Sequence, residues 1–260
     1  MREITTPPTA GLPLHWADLL PWGADDFAVQ MAAWLGVLSV QLECSGTSAL
    51  MVALRSLKRL SPERSEVIVP AYTCPLVALA IAQCGLQLRL CDLRVDALDM
   101  DADCLRLLCS NKTLAVLPTH LCGRVADVDA ALQCARDVGA YVIEDAAQAL
   151  GARSNGKSVA LKGDVGFFSL AVGKGLSTFE GGVLITRDAV LRDVLSAVGA
   201  DTKFNLWWEL RRSVELLGYA ALYRPAGLRM AYGKPLEQAL SRGNWVEAAG
   251  DDFDDFIPQH

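Results

Sequence analysis

Short apolar runs alternate with helix-period segments between about residues 26 and 199. The strands that this pattern predicts are Val40–Cys44, Val67–Pro70, Leu86–Leu93, Leu114–His120, Tyr141–Asp145, Gly166–Leu170 and Val183–Thr186. The helices that it predicts are Thr47–Leu60, Pro75–Cys84, Ala102–Cys109, Val128–Val138 and Ala189–Gly199. Strands and helices that alternate at this spacing favour an α/β fold. We therefore expect a three-layer α/β/α sandwich with a mostly parallel sheet, covered by helices on both faces.

The pattern divides the chain into three parts. Residues 1–25 are rich in proline and turn formers, which predicts an extended lead-in, and residues 26–200 form the sheet domain. Residues 201–260 begin with an aromatic amphipathic helix over 204–224. Trp and Arg suit a helix that lies on a membrane surface, but the small basic face favours contact with a partner subunit or another domain. No secondary structure is predicted for residues 251–260.

Composition and charge exclude several classes of function. The net charge of -6, from 30 acidic and 24 basic residues, argues against nucleic acid as a partner, because phosphate neutralisation needs clustered Lys and Arg. The eight cysteines include no Cys-x-x-Cys pair and the three histidines lack zinc spacing, so we expect reduced thiols and no metal site. No run approaches the ~20 apolar residues of a transmembrane segment, and the N-terminus lacks a signal peptide. These features predict a cytoplasmic protein.

A candidate phosphate site lies where the first strand ends and a helix begins. Gly46 permits a tight turn, and the helix N-terminus presents free N–H groups and a positive dipole end. Thr47 and Ser48 add further donors, and Ser169, at the end of another strand, is expected to reach the same phosphate. The alternative is an ordinary N-cap, for which Ser and Thr are favoured. The glycine motifs typical of nucleotide binding are absent from the sequence.

Two further strand ends carry polar groups. Tyr141–Asp145 is an apolar strand that ends in two carboxylates, and a buried carboxylate needs a cation or good donors. A pyridinium nitrogen is such a cation, so Asp145 is the candidate partner of a cofactor ring, with Gln148 one turn further on. The alternative is a structural acid. Tyr72, in the turn after Pro70, is a candidate for packing on the ring, and a purely structural tyrosine is the alternative.

Lys174 lies between two glycines in an apolar stretch, where a surface lysine is unusual. A lysine in a partly dry pocket has a depressed pKa and becomes a usable amine for Schiff-base chemistry. A solvated surface lysine is the alternative.

Five spaced motifs together resemble the DegT/DnrJ/EryC1/StrS family, over roughly residues 5–190. The motifs are Ser45-Gly-Thr-Ser-Ala-Leu50, Val69-Pro-Ala-Tyr-Thr73, Pro118-Thr-His-Leu-Cys-Gly123, Glu144-Asp-Ala-Ala-Gln148 and Phe168-Ser…Gly173-Lys174. The family comprises sugar aminotransferases that use pyridoxal 5′-phosphate (PLP). The resemblance implies the large domain of the PLP-transferase fold type I, followed by a small C-terminal domain that is absent or incomplete in this chain.

The resemblance also implies roles for individual residues. Lys174 matches the Schiff-base lysine, Asp145 the partner of the pyridine nitrogen, and Gln148 the residue on the ring-hydroxyl side. The positions that match phosphate contacts are Thr47, Ser48 and Ser169. The ring-stacking position aligns with Cys74, so either Tyr72 takes over this contact or a thiol makes it. His120 is expected near the pocket, without a definite role.

The activity that the resemblance implies is transfer of an amino group from L-glutamate to a nucleotide-linked keto sugar. The expected setting is the biosynthesis of a surface polysaccharide or a secondary metabolite, by a homodimer. One alternative is a truncated PLP-binding homologue without turnover, with a regulatory role. Sugar dehydration by PLP is disfavoured, since that branch of the family replaces the lysine with histidine. A nucleotide-binding α/β module without PLP is the third alternative.

Overall fold

A computed structural model describes residues 15–19, 26–201 and 206–244. Its helices are α1 (Phe27–Leu35), α2 (Gly46–Leu60), α3 (Pro75–Gln83), α4 (Ala102–Leu108), α5 (Val128–Val138), α6 (Ala189–Gly199), α7 (Leu206–Leu222), α8 (Pro225–Leu228) and α9 (Lys234–Ser241). Its strands are β1 (Gln41–Glu43), β2 (Glu66–Pro70), β3 (Gln87–Cys91), β4 (Thr113–Val116), β5 (Tyr141–Asp145), β6 (Arg153–Ser154), β7 (Lys157–Ser158), β8 (Val165–Ser169) and β9 (Gly182–Ile185).

Seven strands form one sheet in the order β1-β9-β8-β5-β4-β2-β3. The strands from β8 to β3 are mutually parallel, whereas β9 runs antiparallel to both β8 and β1. Strands β1 and β8 therefore run in the same direction, and six of the seven strands end at one edge. Every residue of β2, β4, β8 and β9 is buried, as expected of strands covered on both faces. The predicted mostly parallel α/β fold is confirmed.

Helices cover both faces of this sheet. On one face, side chains of α4 and α5 pack with Ile68, Val116 and Val142, and Met31 and Leu35 of α1 pack with neighbouring strands β8 and β9. Helix α2 contacts β8 and β9 and packs between α3 and α6. The burial of these apolar stripes explains why the segments form helices, because burial contributes roughly 25 cal/mol per Å² of apolar surface.

Most element boundaries agree with the sequence pattern. Strand β5 and helices α5 and α6 have the predicted ends, and α5 is closed by Gly139 in the left-handed conformation. The predicted strand Leu114–His120 is too long, because β4 ends at Val116. Pro118 has no N–H group for a ladder, and beyond it Thr119 makes only an isolated bridge to Asp145. The predicted strand Leu86–Leu93 likewise ends earlier, at Cys91.

The chain separates into two compact units. Residues 26–201 lie in the larger unit, and residues 206–244 lie in the smaller one. In the smaller unit α7 agrees with the predicted aromatic helix, and the rings of Tyr219 and Tyr223 lie 4.3 Å apart between centroids. No helix among the described residues is long and apolar enough to cross a membrane. The predicted lead-in lies largely outside the described residues, as do residues 251–260.

Candidate functional site

The predicted site residues gather at the edge where the parallel strands end. Crevices at this edge are the usual ligand sites of open α/β sheets. Each of the strands β1, β2, β5 and β8 is followed there by predicted residues. These residues are Gly46, Thr47, Ser48, Tyr72, Cys74, Asp145, Gln148, Ser169 and Lys174.

The turn at the start of α2 lies directly against the end of β8. A Cβ atom on Gly46 would lie only 2.9 Å from Cβ of Ser169, so only glycine fits without a shift of β8. Similarly, a Cβ atom on Gly182 would lie 2.2 Å from the carbonyl oxygen of Ser45. The structure therefore brings the helix N-terminus and Ser169, two predicted parts of the phosphate site, into contact.

Some side chains in this turn form hydrogen bonds within the chain, and others are left to bind a phosphate. The Ser45 hydroxyl caps α2 by accepting the Ser48 N–H at 3.0 Å, so the ordinary N-cap is present. The buried Ser48 hydroxyl lies 3.4 Å from Oε2 of Glu43, to which it donates, instead of pointing to solvent. Burial raises the pKa of Glu43, and hydrogen bonds from Gln41 and Ser48 oppose that shift. Half-buried Thr47 is left as the hydroxyl best suited to an incoming phosphate.

Asp145 is a buried carboxylate with few donors of its own. Its Oδ1 accepts the Ala147 N–H at 3.0 Å. Burial raises the pKa of Asp145, and the Ala147 N–H and the positive charge of Lys174 oppose that shift. A further cation, such as a pyridinium ring, would stabilise the ionised carboxylate, so the residues present fit PLP at this position.

Glu144, the neighbouring carboxylate, is fully hydrogen-bonded by the protein. Its Oε2 lies 3.0 Å from Nε2 of His120. It also accepts three backbone N–H groups at 2.5–3.0 Å, those of Ala160, Lys162 and Gly163. Burial alone would raise the pKa of Glu144, but the hydrogen bonds from His120 and the backbone N–H groups hold it below its ordinary value. Glu144 is therefore a structural acid.

His120 has both ring nitrogens engaged. Its Nδ1 accepts the Ala126 N–H at 3.0 Å, which leaves Nε2 to carry the proton and donate to Glu144. The imidazole is buried. His120 thereby ties the turn after β4 to the end of β5, beside the predicted pocket.

Gln148 is oriented by that same turn. Its Oε1 accepts the backbone N–H of Cys122 at 3.0 Å, and Cys122 has a left-handed φ of 53°. Because the amide oxygen is engaged, the exposed NH₂ group of Gln148 remains available to donate. A ring hydroxyl or its oxyanion is a suitable acceptor. Sequence reasoning missed the orienting role of Cys122, for which no local signal exists.

Lys174 lies in the turn that connects β8 to β9. Its backbone N–H donates to Ala171, and Gly173 before it has a φ of 87°. The side chain is half-buried. Tyr72 and Cys74 follow β2 and are both exposed, Tyr72 to 65%. Ring stacking by either residue therefore stays a prediction.

Within residues 15–19, 26–201 and 206–244, no group of three or more His, Cys, Asp or Glu side chains is placed to hold a metal ion.

Comparison with known proteins identifies what the chain resembles. Residues 22–220 match the DegT/DnrJ/EryC1/StrS aminotransferase family. GDP-perosamine synthase from Caulobacter vibrioides is 34% identical over 188 residues, which cover 71% of this chain and 50% of the relative. GDP-4-keto-6-deoxy-D-mannose 3-dehydratase from Yersinia pseudotuberculosis is 33% identical over 165 residues, which cover 62% and 42%.

A solved structure shows the same fold. DesV from S. venezuelae, determined in complex with a ketimine intermediate, has a TM-score of 0.63 and 31% identity, over 73% of this chain and 53% of DesV. The fold is that of the fold type I PLP aminotransferases. The chain spans about half the length of these relatives or less.

Proposed function

The chain belongs to the DegT/DnrJ/EryC1/StrS aminotransferase family, and on that premise we propose that it binds PLP on Lys174 and transfers amino groups to a nucleotide-linked keto sugar. One observation carries the proposal. The Asp145 carboxylate is buried at the end of β5 and accepts one backbone N–H, that of Ala147; burial raises its pKa, and the positive charge of the Lys174 amine opposes that shift. A carboxylate and an amine in this relation suit a cofactor that offers a ring cation to one and an aldehyde to the other.

The residues of the site fit the parts of PLP. The N-terminus of α2, the Thr47 hydroxyl and Ser169 are suited to the phosphate, because free N–H groups and a dipole end favour an anion there. Asp145 is suited to the pyridine nitrogen, and the NH₂ group of Gln148 to the ring hydroxyl. Ser48 is the least available of the three proposed phosphate contacts, because its hydroxyl donates to Glu43 and its N–H donates to the Ser45 hydroxyl.

Bound PLP supplies an electron sink for the bond broken at the α-carbon of the amino donor. The chain's own residues transfer the proton, hold the ring nitrogen and position the site. Lys174 moves the proton from that α-carbon, as a general base and then as a general acid. Asp145 stays ionised opposite the ring nitrogen and holds the proton there. His120 keeps the adjacent turn in place and takes no part in proton transfer, since its Nε2–H already donates to Glu144.

The substrates follow from the relatives and stay part of the proposal. We infer a nucleotide-linked keto sugar as acceptor because the similar synthase is named for GDP-perosamine and the similar dehydratase for a GDP-4-keto sugar. L-glutamate is the proposed amino donor, and a cytoplasmic homodimer is the proposed form. Biosynthesis of a surface polysaccharide or a secondary metabolite is the proposed setting.

Absorbance during a two-step reaction tests this function. The PLP-loaded chain should lose its visible band when L-glutamate is added, with one equivalent of 2-oxoglutarate released. Addition of a GDP-4-keto-6-deoxy sugar should restore the band and give an amino sugar by mass spectrometry. Lys174→Ala should abolish both changes, whereas Lys157→Ala, a change at an exposed lysine, should leave them intact.

Two outcomes would contradict the proposal. A band that glutamate leaves unchanged would mean that the chain binds the cofactor without transferring amines. A sugar product that has lost water and gained no nitrogen would mean dehydration, the reaction named for the relative from Yersinia pseudotuberculosis.

A further inference from the structure

A second pocket lies away from the proposed PLP site, between β1, β9 and α6. It has a volume of about 240 Å³, room for several water molecules or a small ligand. None of the residues predicted to bind the cofactor lines it. The polar side chains in its wall are Ser39, Gln41, Thr186, Arg192 and Ser196.

Arg192 is the one charged residue among the described residues of the pocket wall, and its guanidinium has no partner among them. Its Nε is buried without a hydrogen bond, and the side chain forms no ion pair with any residue in the described part of the chain. An arginine cannot shed its charge, so a buried N–H of this group is costly to leave unsatisfied. The missing partner is therefore an acceptor, and a negatively charged acceptor is best matched to the cation.

Two other polar side chains of the wall are held by hydrogen bonds within the chain. Gln41 is committed as a donor to Glu43 and to the Leu195 carbonyl, and Thr186 donates to the Asp164 carbonyl. These bonds hold the two side chains in place, so a ligand would lose less binding free energy to the ordering of side chains.

The hydroxyls of Ser39 and Ser196 stay available, because neither bonds to a described residue. No carboxylate is among the described residues that line the pocket. Two carboxylates lie close to it. Glu43 accepts from Gln41 and Ser48, and Asp188 caps α6 by accepting the Leu191 N–H.

We propose that this pocket is a binding site for a small oxyanion, a phosphate or carboxylate group, held by Arg192 with the hydroxyls of Ser39 and Ser196. The planar guanidinium presents its N–H groups as a fork that matches two oxygens of either group. The site is separate from the cofactor phosphate site, and its existence does not depend on whether the chain transfers amines.

Calorimetric titration of the PLP-loaded chain tests the proposal, because bound PLP occupies the other phosphate site. Inorganic phosphate and acetate are titrated separately at constant ionic strength, with chloride as the balancing ion. One saturable site is expected, and the tighter of the two anions identifies the group that the pocket prefers. Arg192→Met should weaken binding at least about tenfold, as expected for loss of a charged hydrogen bond. Arg187→Met, at an exposed arginine outside the pocket, is the matched control and should leave binding unchanged.

A second variant separates loss of the site from loss of the fold. Ser196→Trp places a large side chain in the pocket from an exposed helix position and should block binding while Arg192 remains. In buffer without phosphate or carboxylate, Arg192→Met should also melt at or above the wild-type temperature, because it removes an unsatisfied donor. The proposal is wrong if neither anion shows a saturable site, or if both pocket variants bind as the wild type does.

Discussion

Glu144 and Asp145 are consecutive carboxylates at the end of one strand, yet their surroundings differ completely. Successive side chains of a strand point to opposite faces, so the two acids lie in different environments. The pKa of Glu144 lies below its ordinary value, because His120 and three backbone N–H groups outweigh the effect of burial. The pKa of Asp145 lies above its ordinary value, because burial outweighs one backbone N–H and the positive charge of Lys174.

The difference separates a structural acid from a functional one. Glu144 finds its donors in the chain itself, so its charge stabilises the loop at residues 160–163 and the turn at His120. Asp145 is buried without enough donors, an arrangement that costs stability unless a ligand supplies the cation. Proteins tolerate such a cost mainly at functional sites.

The largest effect that we predict comes from Asp145→Asn. Amide in place of carboxylate removes the partner of the ring nitrogen, so the first half-reaction with glutamate should slow by about 10²–10³-fold, the usual loss for one electrostatic contact at a reacting group. The chain without PLP should become more stable, by about 1 kcal/mol, since a buried charge is removed. Stopped-flow absorbance and urea unfolding measure the two effects, and a less stable variant would contradict the account.

Glu144→Gln should have the opposite effects: a loss of stability, with binding of the cofactor retained. The variant keeps the side-chain shape but loses the charge that His120 and the backbone N–H groups share, at a cost of about 2–3 kcal/mol in the free energy of unfolding. Cofactor absorbance at saturating PLP should persist in the fraction that remains folded. Urea unfolding with and without PLP checks this, and a loss of PLP affinity without a loss of stability would reverse the assignment.

Much of the fold follows from local sequence. Val128–Val138 is predicted correctly at both ends because Asp127 caps it and Gly139 closes it. Helix α1 is not predicted, since Phe27–Leu35 contains one polar residue and therefore shows no amphipathic period. The hairpin of β6 and β7 is also missed, because two-residue strands carry no alternation.

The site is only partly readable from sequence. Asp145 and Lys174 are named by their chemistry, and their action on one cofactor stays a prediction, which the lowering effect of the Lys174 charge on the Asp145 pKa supports. The assignment of Ser48 to a phosphate depends on its position after Gly46, and sequence cannot show that its hydroxyl turns to Glu43. The pair of His120 and Glu144 joins residues 24 positions apart, and only the sheet register brings them together.

Gln148→Leu tests the proposed contact between the Gln148 NH₂ group and the ring hydroxyl of the cofactor. It removes the NH₂ donor that Cys122 orients, so the dissociation constant for PLP should rise about tenfold, as for loss of one hydrogen bond to a charged group. Gln133→Leu, on the exposed face of α5, is the matched control and should bind PLP normally. Spectroscopic titration with PLP measures both constants. Equal affinities would show that Gln148 does not contact the cofactor.

The smallest effect concerns the pH dependence of stability without PLP. Glu144 stabilises the fold above its ordinary pKa of 4.5, and this contribution is lost as pH falls through the lower native pKa. Asp145 acts with the opposite sign, because stability falls as pH rises from 3.8 through its raised native pKa. Glu144→Gln should flatten the rise of stability with pH, and Asp145→Asn should steepen it. Urea unfolding at a series of pH values across this range measures how the free energy of unfolding changes with pH in each variant. Equal pH dependence in the two variants would contradict the opposite roles of Glu144 and Asp145.

The attachment of PLP at Lys174, opposite Asp145, is the central claim and has a direct test. The PLP-loaded chain is treated with borohydride, digested and examined by peptide mass spectrometry. We predict one modified peptide, the one that contains Lys174, and a mass increase equal to reduced PLP. Modification of a different lysine, or no modification at saturating PLP, would contradict the account.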